Sequence, residues 1–255
     1  MVVLTVGRHA SAECRPQTIA SDDLAKANHR PDNGNRPLTV FFQDRLHAGR
    51  LLAERLLELQ PSSPVILGLP RGGVVVAEPV AVALRAPLDV IIVRKLGVPY
   101  QPELAMGAIG EGGVKVIESS VVASARINDD QMEEVERRER AVLEARIAGY
   151  RQWRPAVPLE GRSTVIVDDG IATGATVRAA CQVVTSRGAL KVTVAVPVAT
   201  REAIRRIRTV CDEVICLHTP ARFGAIGLFY ADFAPVDDLE VKRILIDRLA
   251  HPPTT

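Results

Sequence analysis

Apolar residues in this chain fall into short continuous runs that alternate with amphipathic stretches. This is the pattern of a parallel sheet covered by helices. Val65 to Leu69, Leu88 to Val93, Thr164 to Val167, Val192 to Val196 and Glu213 to Leu217 read as strands. Asp44 can N-cap a helix to about Gln60, along which Ala48, Leu51, Leu52, Arg55, Leu56 and Leu59 recur at helical spacing. A second helix should follow Pro70-Arg71-Gly72-Gly73 and run to Leu84, with Pro79 forcing a late start or a kink. Leu104 to Ile109 and Val114 to Ile117, separated by Gly110 to Gly113, predict a hairpin.

Asn128 opens a long charged helix with Asp129 and Asp130 in its first turn, where they favour the helix dipole. Met132, Val135, Val142, Leu143, Ile147 and Tyr150 form its apolar stripe. Glu133/Arg137, Glu134/Arg138 and Glu136/Arg140 are spaced for i,i+4 pairing on what reads as a solvated face. Further helices are predicted from about Thr176 to Arg187, with Gly188 as the stop, from Arg201 to Arg208 and from Asp238 to Leu249. The fold class is therefore α/β, a central, mostly parallel sheet flanked by helices on both faces. Ser11 to Pro37 is rich in Ser, Asn, Asp, Pro and Arg without a sustained period, so residues 1–37 are expected to be a flexible extension and 38–255 the folded domain.

Composition narrows the function classes. Lys and Arg total 32 against 30 Asp and Glu, a net charge of +2, so bulk charge does not point to nucleic acid. The most apolar region, Val74 to Val93, is interrupted by Glu78, Pro79, Arg85 and Asp89, which argues against a bilayer span, and Val2 to Val6 is too short for a secretory signal. Cys14, Cys181, Cys211 and Cys216 form no CxxC pair, which weakens zinc and dithiol readings and suits a reduced, cytoplasmic compartment. Val6 to Ala10, VGRHA, resembles the start of a phosphohistidine-forming phosphatase, which needs a second His and more Arg; His218 follows a strand, but the pattern between them is that of the α/β fold above, and His47 and His218 read as packing or surface residues.

The chemistry concentrates in VIVDDGIATGAT, Val165 to Thr176. An apolar strand ends in two carboxylates, Asp168 and Asp169, then passes through a small-residue bend into a helix. Gly170, Ala172, Gly174 and Ala175 would let backbone approach a ligand, the first amides of the next helix favour an anion, and Thr173 and Thr176 add hydroxyls. That half suits a phosphate. Two acids beside it would repel the same phosphate, so they should face hydroxyls. A phosphate at one end and a cis-diol at the other describe ribose 5-phosphate.

This stretch resembles the signature of the type I phosphoribosyltransferases, four apolar residues, two acids, a spacer, then Thr-Gly and a final Thr or Ser. The resemblance extends over roughly Phe41 to Leu249. It implies a flexible hairpin, a small hood, and 5-phosphoribosyl 1-pyrophosphate bound with Mg2+. By family role, Asp168 and Asp169 hold the ribose hydroxyls, and Ala172, Thr173, Gly174, Ala175 and Thr176 hold the 5-phosphate. Leu69 to Gly73, LPRGG, resembles the pyrophosphate loop, in which Arg71 can fork onto phosphate oxygens and Gly72 and Gly73 expose amides. Val93 to Glu103, VRKLGVPYQPE, resembles the start of the mobile catalytic loop, with Arg94 and Lys95 meeting the leaving pyrophosphate and Gly97 and Pro99 framing the moving part. Alternatively, Arg94 and Lys95 are surface charges at a strand end.

The implied activity is that of a glycosyltransferase, Mg-dependent phosphoribosyl transfer to a nucleobase or similar nitrogen acceptor with release of pyrophosphate. The metal is expected to bind through substrate and water, with water-mediated contact from Asp168 and Asp169 and no dedicated protein cage. Ala172 stands where hypoxanthine–guanine relatives place an Asp base, and the Ala-Thr-Gly run looks more like the adenine type, some of which use a loop Glu; Glu103 is the candidate here. Tyr100, Phe223, Phe229 and Tyr230 could stack on an acceptor ring, with Arg222-Phe223-Gly224 preferred, while Phe229 and Phe233 read equally well as core. Expected partners are phosphoribosyl pyrophosphate, a small acceptor and a second copy of the chain, most simply as a dimer, with no membrane and no nucleic acid. The alternative is a non-catalytic protein of the same fold that senses a nucleotide or phosphoribosyl pyrophosphate and regulates a partner.

Overall fold

In the computed structural model, residues 29–30, 38–57, 63–152 and 155–250 are described. A two-residue ladder pairs β1 (His29–Arg30) antiparallel with β2 (Leu38–Thr39), so part of the expected extension is joined to the start of the domain. The rest of that extension, including VGRHA and Cys14, lies outside the described residues.

After α1 (Arg45–Leu56) the chain alternates strand and helix through β3 (Val65–Gly68), α2 (Gly72–Ala83) and β4 (Leu88–Val90). The apolar run Leu88 to Val93 is broken at Ile91 and Ile92, and β5 (Val93–Val98) starts a separate antiparallel sheet with β6 (Gln101–Gly110) and β7 (Val114–Ile117). Then come α3 (Ser119–Ser124), α4 (Asp129–Arg151), β8 (Ser163–Val167), α5 (Ala175–Ser186), β9 (Lys191–Val198), α6 (Arg201–Ile207), β10 (Glu213–His218), a 3-10 turn (Ile226–Phe229) and α7 (Asp238–Ala250). The main sheet has the order β10-β9-β8-β3-β4, with every pairing parallel.

Continuous apolar runs form these strands because both faces of the sheet are covered. Neighbouring side chains on a strand point to opposite faces. Ile66 therefore packs with Leu52, Val76 and Val80 of α1 and α2, whereas Val65 and Leu67 join Val177, Cys181 and Val184 of α5. Cys181 is fully buried there, a small core residue as expected.

Two local expectations need correction. Pro79 neither delays nor ends α2, which begins at Gly72 and runs through it. Its ring lies against Gly49 of α1, and a Cβ at Gly49 would overlap the Val76 carbonyl, so close packing of the two helices offsets the lost backbone bond. On α4, Asn128 caps the helix in a full capping box with Gln131, but the charged face is only partly solvated. Glu136 and Glu139 reach across to Lys115 and Arg94 of the antiparallel sheet, and Val142 of the expected stripe is exposed instead.

The strand order determines where a site can form. From β3 the chain steps to β4 on one side, then returns to β8 on the other and continues outward to β9 and β10. The direction of winding reverses between β3 and β8, and the crevice outside the carboxyl ends of that pair is where open α/β sheets take ligands. Among the described residues, no helix is long and apolar enough to cross a membrane.

Candidate active site

The loops that leave β3 and β8 sit side by side in that crevice. The register aligns Gly68 with Val167, and the Leu69 amide donates to the Val167 carbonyl at 2.9 Å. This brings LPRGG, nearly a hundred residues earlier in the chain, against the acidic pair. The Pro70–Arg71 peptide bond is cis, Arg71 is exposed, and α2 begins at the next residue. Gly72 and Gly73 are required by proximity. A Cβ at Gly72 would overlap the Asp169 carboxylate, and one at Gly73 would meet the Val167 carbonyl at 2.7 Å and the Asp168 Cα at 2.9 Å.

Asp168 and Asp169 are half-buried at the end of β8, where the Asp169 amide donates to Asp168 Oδ1 at 3.0 Å. Burial, reinforced by the neighbouring Asp169 charge, pushes the Asp168 carboxyl well above the usual carboxylate range. Burial also raises Asp169, but Arg45 opposes the shift: its Nε donates to Asp169 Oδ2 at 2.9 Å. The Tyr230 hydroxyl holds the backbone behind the pair, donating to the Asp169 carbonyl at 2.6 Å.

The bend that follows is fastened at both ends. Ile171 exchanges backbone bonds with Val198 and Thr200, and the Thr200 hydroxyl donates to the Ala172 carbonyl at 2.9 Å. Gly174, with φ +81°, turns the chain into α5, whose first amides have no partner within the helix. Ala172, Thr173 and Thr176 are exposed at this bend and Ala175 is half-buried, so its surface is open to solvent. Gly170 and Gly174 also face neighbouring elements. Both are buried, Gly170 against Ile226 and Gly174 against Ile207, so packing as well as ligand approach calls for small residues there.

The basic candidates lie on the hairpin of β5 and β6, in strand rather than in an open loop. Arg94 is held by Glu139 of α4 (Nη2 to Oε2, 2.5 Å), and Lys95 pairs along the hairpin with Glu103 at 3.1 Å. Among the described residues, neither base is bonded to the acidic pair. Glu103, the base candidate, is exposed and engaged by Lys95. Gly97 lies against Pro102 within the hairpin, and the exposed Tyr100 at its tip donates its hydroxyl to the Ala125 carbonyl.

Phe229 and Tyr230 are buried in a cluster with Phe42 and Val198, and Phe223 packs half-buried on Phe229 at 5.1 Å. His218 stacks on Phe41 at 4.1 Å, and burial lowers its pKa, while His47 Nδ1 accepts from the Gln43 amide. Both histidines are packing residues, as the sequence suggested. Sequence reasoning missed Arg45 and Thr200, and took Phe233 only as core. Arg45 is separated from Asp169 by 124 positions, and no periodicity or motif links them.

This chain belongs to the phosphoribosyl transferase domain family, which matches residues 43–232. It is 50% identical over 225 residues to a Mycobacterium tuberculosis (strain CDC 1551 / Oshkosh) protein named "Putative phosphoribosyl transferase MT0597", a match that covers 84% of this chain and 51% of that protein. The chain thus spans about half the length of that curated relative. The crystal structure of TT1426 from Thermus thermophilus superposes with a TM-score of 0.76 at 48% identity, over 81% of this chain and 98% of that one.

Proposed function

We propose that the crevice between β3 and β8 binds 5-phosphoribosyl 1-pyrophosphate and transfers its phosphoribosyl group to a nitrogen acceptor. One observation carries the reading. The acidic pair at the end of β8 runs directly into the bend that opens α5, and the Arg71-Gly72-Gly73 loop lies against the acids. Asp168 and Asp169 would take the ribose hydroxyls, Thr173 to Thr176 the 5-phosphate, and Arg71 with the first amides of α2 the pyrophosphate.

The bond from the anomeric carbon to pyrophosphate breaks with its electron pair leaving on oxygen. The acceptor nitrogen supplies the new pair and afterwards sheds its proton. The transition state is oxocarbenium-like, so the protein's task is to hold both ends of the sugar and keep water out. Hard oxygen donors such as these two carboxylates suit Mg2+, which when bound through the substrate and through water to Asp168 and Asp169 would neutralise charge on the leaving pyrophosphate. Lys95 would meet that charge by exchanging Glu103 for the leaving pyrophosphate.

The engagement of both Arg94 and Lys95 by glutamates favours a second reading, a binding protein that does not turn over. Isothermal titration with phosphoribosyl pyrophosphate and Mg2+, followed by a panel of bases assayed for pyrophosphate release, tests both. The transferase reading expects binding, release with at least one base, and loss of binding in Asp168→Asn/Asp169→Asn. Unchanged affinity in that double variant removes the site, and binding without release from any base selects the second reading.

A further inference from the structure

Arg45 joins the acidic pair to a segment that lies far from it in sequence. Its side chain is 11% exposed. Nε donates to Asp169 Oδ2 at 2.9 Å, Nη1 donates to the Ala234 carbonyl at 2.8 Å, and the guanidinium carbon lies 3.7 Å from the centre of the Phe233 ring. Phe233 in turn packs on Tyr230 at 5.0 Å, and the Tyr230 hydroxyl holds the Asp169 carbonyl. Segment 230–234 therefore reaches Asp169 by two routes, directly at its carbonyl through Tyr230 and indirectly at its carboxylate through Arg45 of α1.

We propose that Arg45 is a positioning residue that aims the Asp169 carboxylate at the sugar and couples it to segment 230–234, so that whatever settles against Phe233 alters sugar affinity. The inference rests on the sugar-phosphate reading above. The geometry needs arginine in particular. A planar fork can bond a carboxylate and a carbonyl in different directions while its face lies on a ring, whereas lysine offers one compact ammonium without a plane to stack. Arg45 does this from the first turn of α1, where Asp44 accepts from the His47 amide and fixes the helix start.

The test is a mutant cycle on the full chain, read as affinity for phosphoribosyl pyrophosphate with Mg2+ by titration calorimetry, with melting temperatures followed in parallel. Phe233→Leu is expected to weaken binding about fivefold and Arg45→Met about tenfold, with the double variant no weaker than Arg45→Met alone. Arg45→Lys keeps a charge beside Asp169 and is expected to bind within about threefold of wild type, yet to lose all sensitivity to Phe233→Leu. That combination, affinity restored and coupling lost, is not the result of a merely structural role. Independent, multiplying losses, or an Arg45→Lys protein still weakened by Phe233→Leu, overturn the coupling while leaving the sugar site intact. A wild-type chain that takes up no ligand, or an Asp168→Asn/Asp169→Asn chain that binds normally, overturns the sugar reading and the coupling with it.

Discussion

Gly72 faces Asp169 so closely that a Cβ at residue 72 would occupy the space of the Asp169 carboxylate and would meet the Arg45 Nε that holds it at 2.8 Å. Gly73 is limited instead by main chain, the Val167 carbonyl and the Asp168 Cα. The two neighbouring glycines should therefore fail in different ways. Gly72→Ala can be accommodated by swinging one carboxylate, so it should keep the fold and lose sugar-phosphate affinity by about tenfold or more. Gly73→Ala must move a strand end and should destabilise the fold by about 1–3 kcal/mol. Denaturant melts beside ligand titrations of both variants check this, and equal stability losses would show that the two positions are not distinguished.

Arg94 and Lys95 are adjacent in sequence but held by different elements. Arg94 is tied to α4, and its partner Glu139 is largely covered, so Arg94→Met should cost about 1 kcal/mol of stability and leave ligand affinity unchanged. Lys95 is paired with an exposed partner and is free to exchange. Lys95→Ala should melt as wild type does and lower the rate of pyrophosphate release far more than it lowers affinity. A rate unaffected by Lys95→Ala would instead favour the binding-protein reading.

Parts of this were legible in the sequence because the information is local. Val65 to Leu69 reads as a strand since an unbroken apolar run has few other uses at that length, and Asn128 with Gln131 forms a cap from residues three apart. The acidic pair and the bend are contiguous, so a single stretch displays both halves of a ligand contact. Arg45 bonded to Asp169, Glu139 to Arg94 and Thr200 to Ala172 carry no such signal, because each pairing exists only once the strands are in order. Pro79 was misleading for a related reason. Local rules make it a helix breaker, and the close crossing at Gly49 of α1 is invisible along the chain. The packing role of the motif's glycines is equally hidden, since Gly170 and Gly174 face Ile226 and Ile207 from other elements.

The α4–hairpin contact should give the protein an acid-sensitive component. Burial alone would raise the Glu136 carboxyl, but Arg140 and Lys115 outweigh it and hold the pKa below its ordinary 4.5. A carboxyl depressed on folding stabilises the native state above its unfolded pKa, and the contribution disappears as pH falls through the lower, folded value. Glu136→Gln should therefore lower the melting temperature at pH 7, and the gap to wild type should close by about pH 3. A gap that is constant between these pH values would mean that the loss comes from packing rather than charge.

Asp89 is the most completely buried acid that the fold depends on outside the crevice. It is 1% exposed on β4, and both its oxygens are used: Oδ1 accepts from Arg151 at 2.7 Å and from the Val90 amide at 2.8 Å, and Oδ2 from the Val157 amide at 2.8 Å. Arg151, at the end of α4, also forks onto Glu111 and donates to the Val90 carbonyl. The network joins the end of α4, the edge of the main sheet, the β6–β7 turn and the segment leading to β8. Removing Asp89 leaves the Val90 and Val157 amides without their acceptor and takes one of its two carboxylate partners from Arg151, which keeps Glu111, so Asp89→Ala should cost about 2–4 kcal/mol. Asp89→Asn keeps one acceptor oxygen but offers an NH2 group to a donor, and should recover only part of that loss. Because these residues lie away from the crevice, any Asp89 variant that remains folded should retain wild-type sugar-phosphate affinity. Titration below its melting temperature checks this, and a large affinity loss in a folded variant would place the network within the ligand site after all.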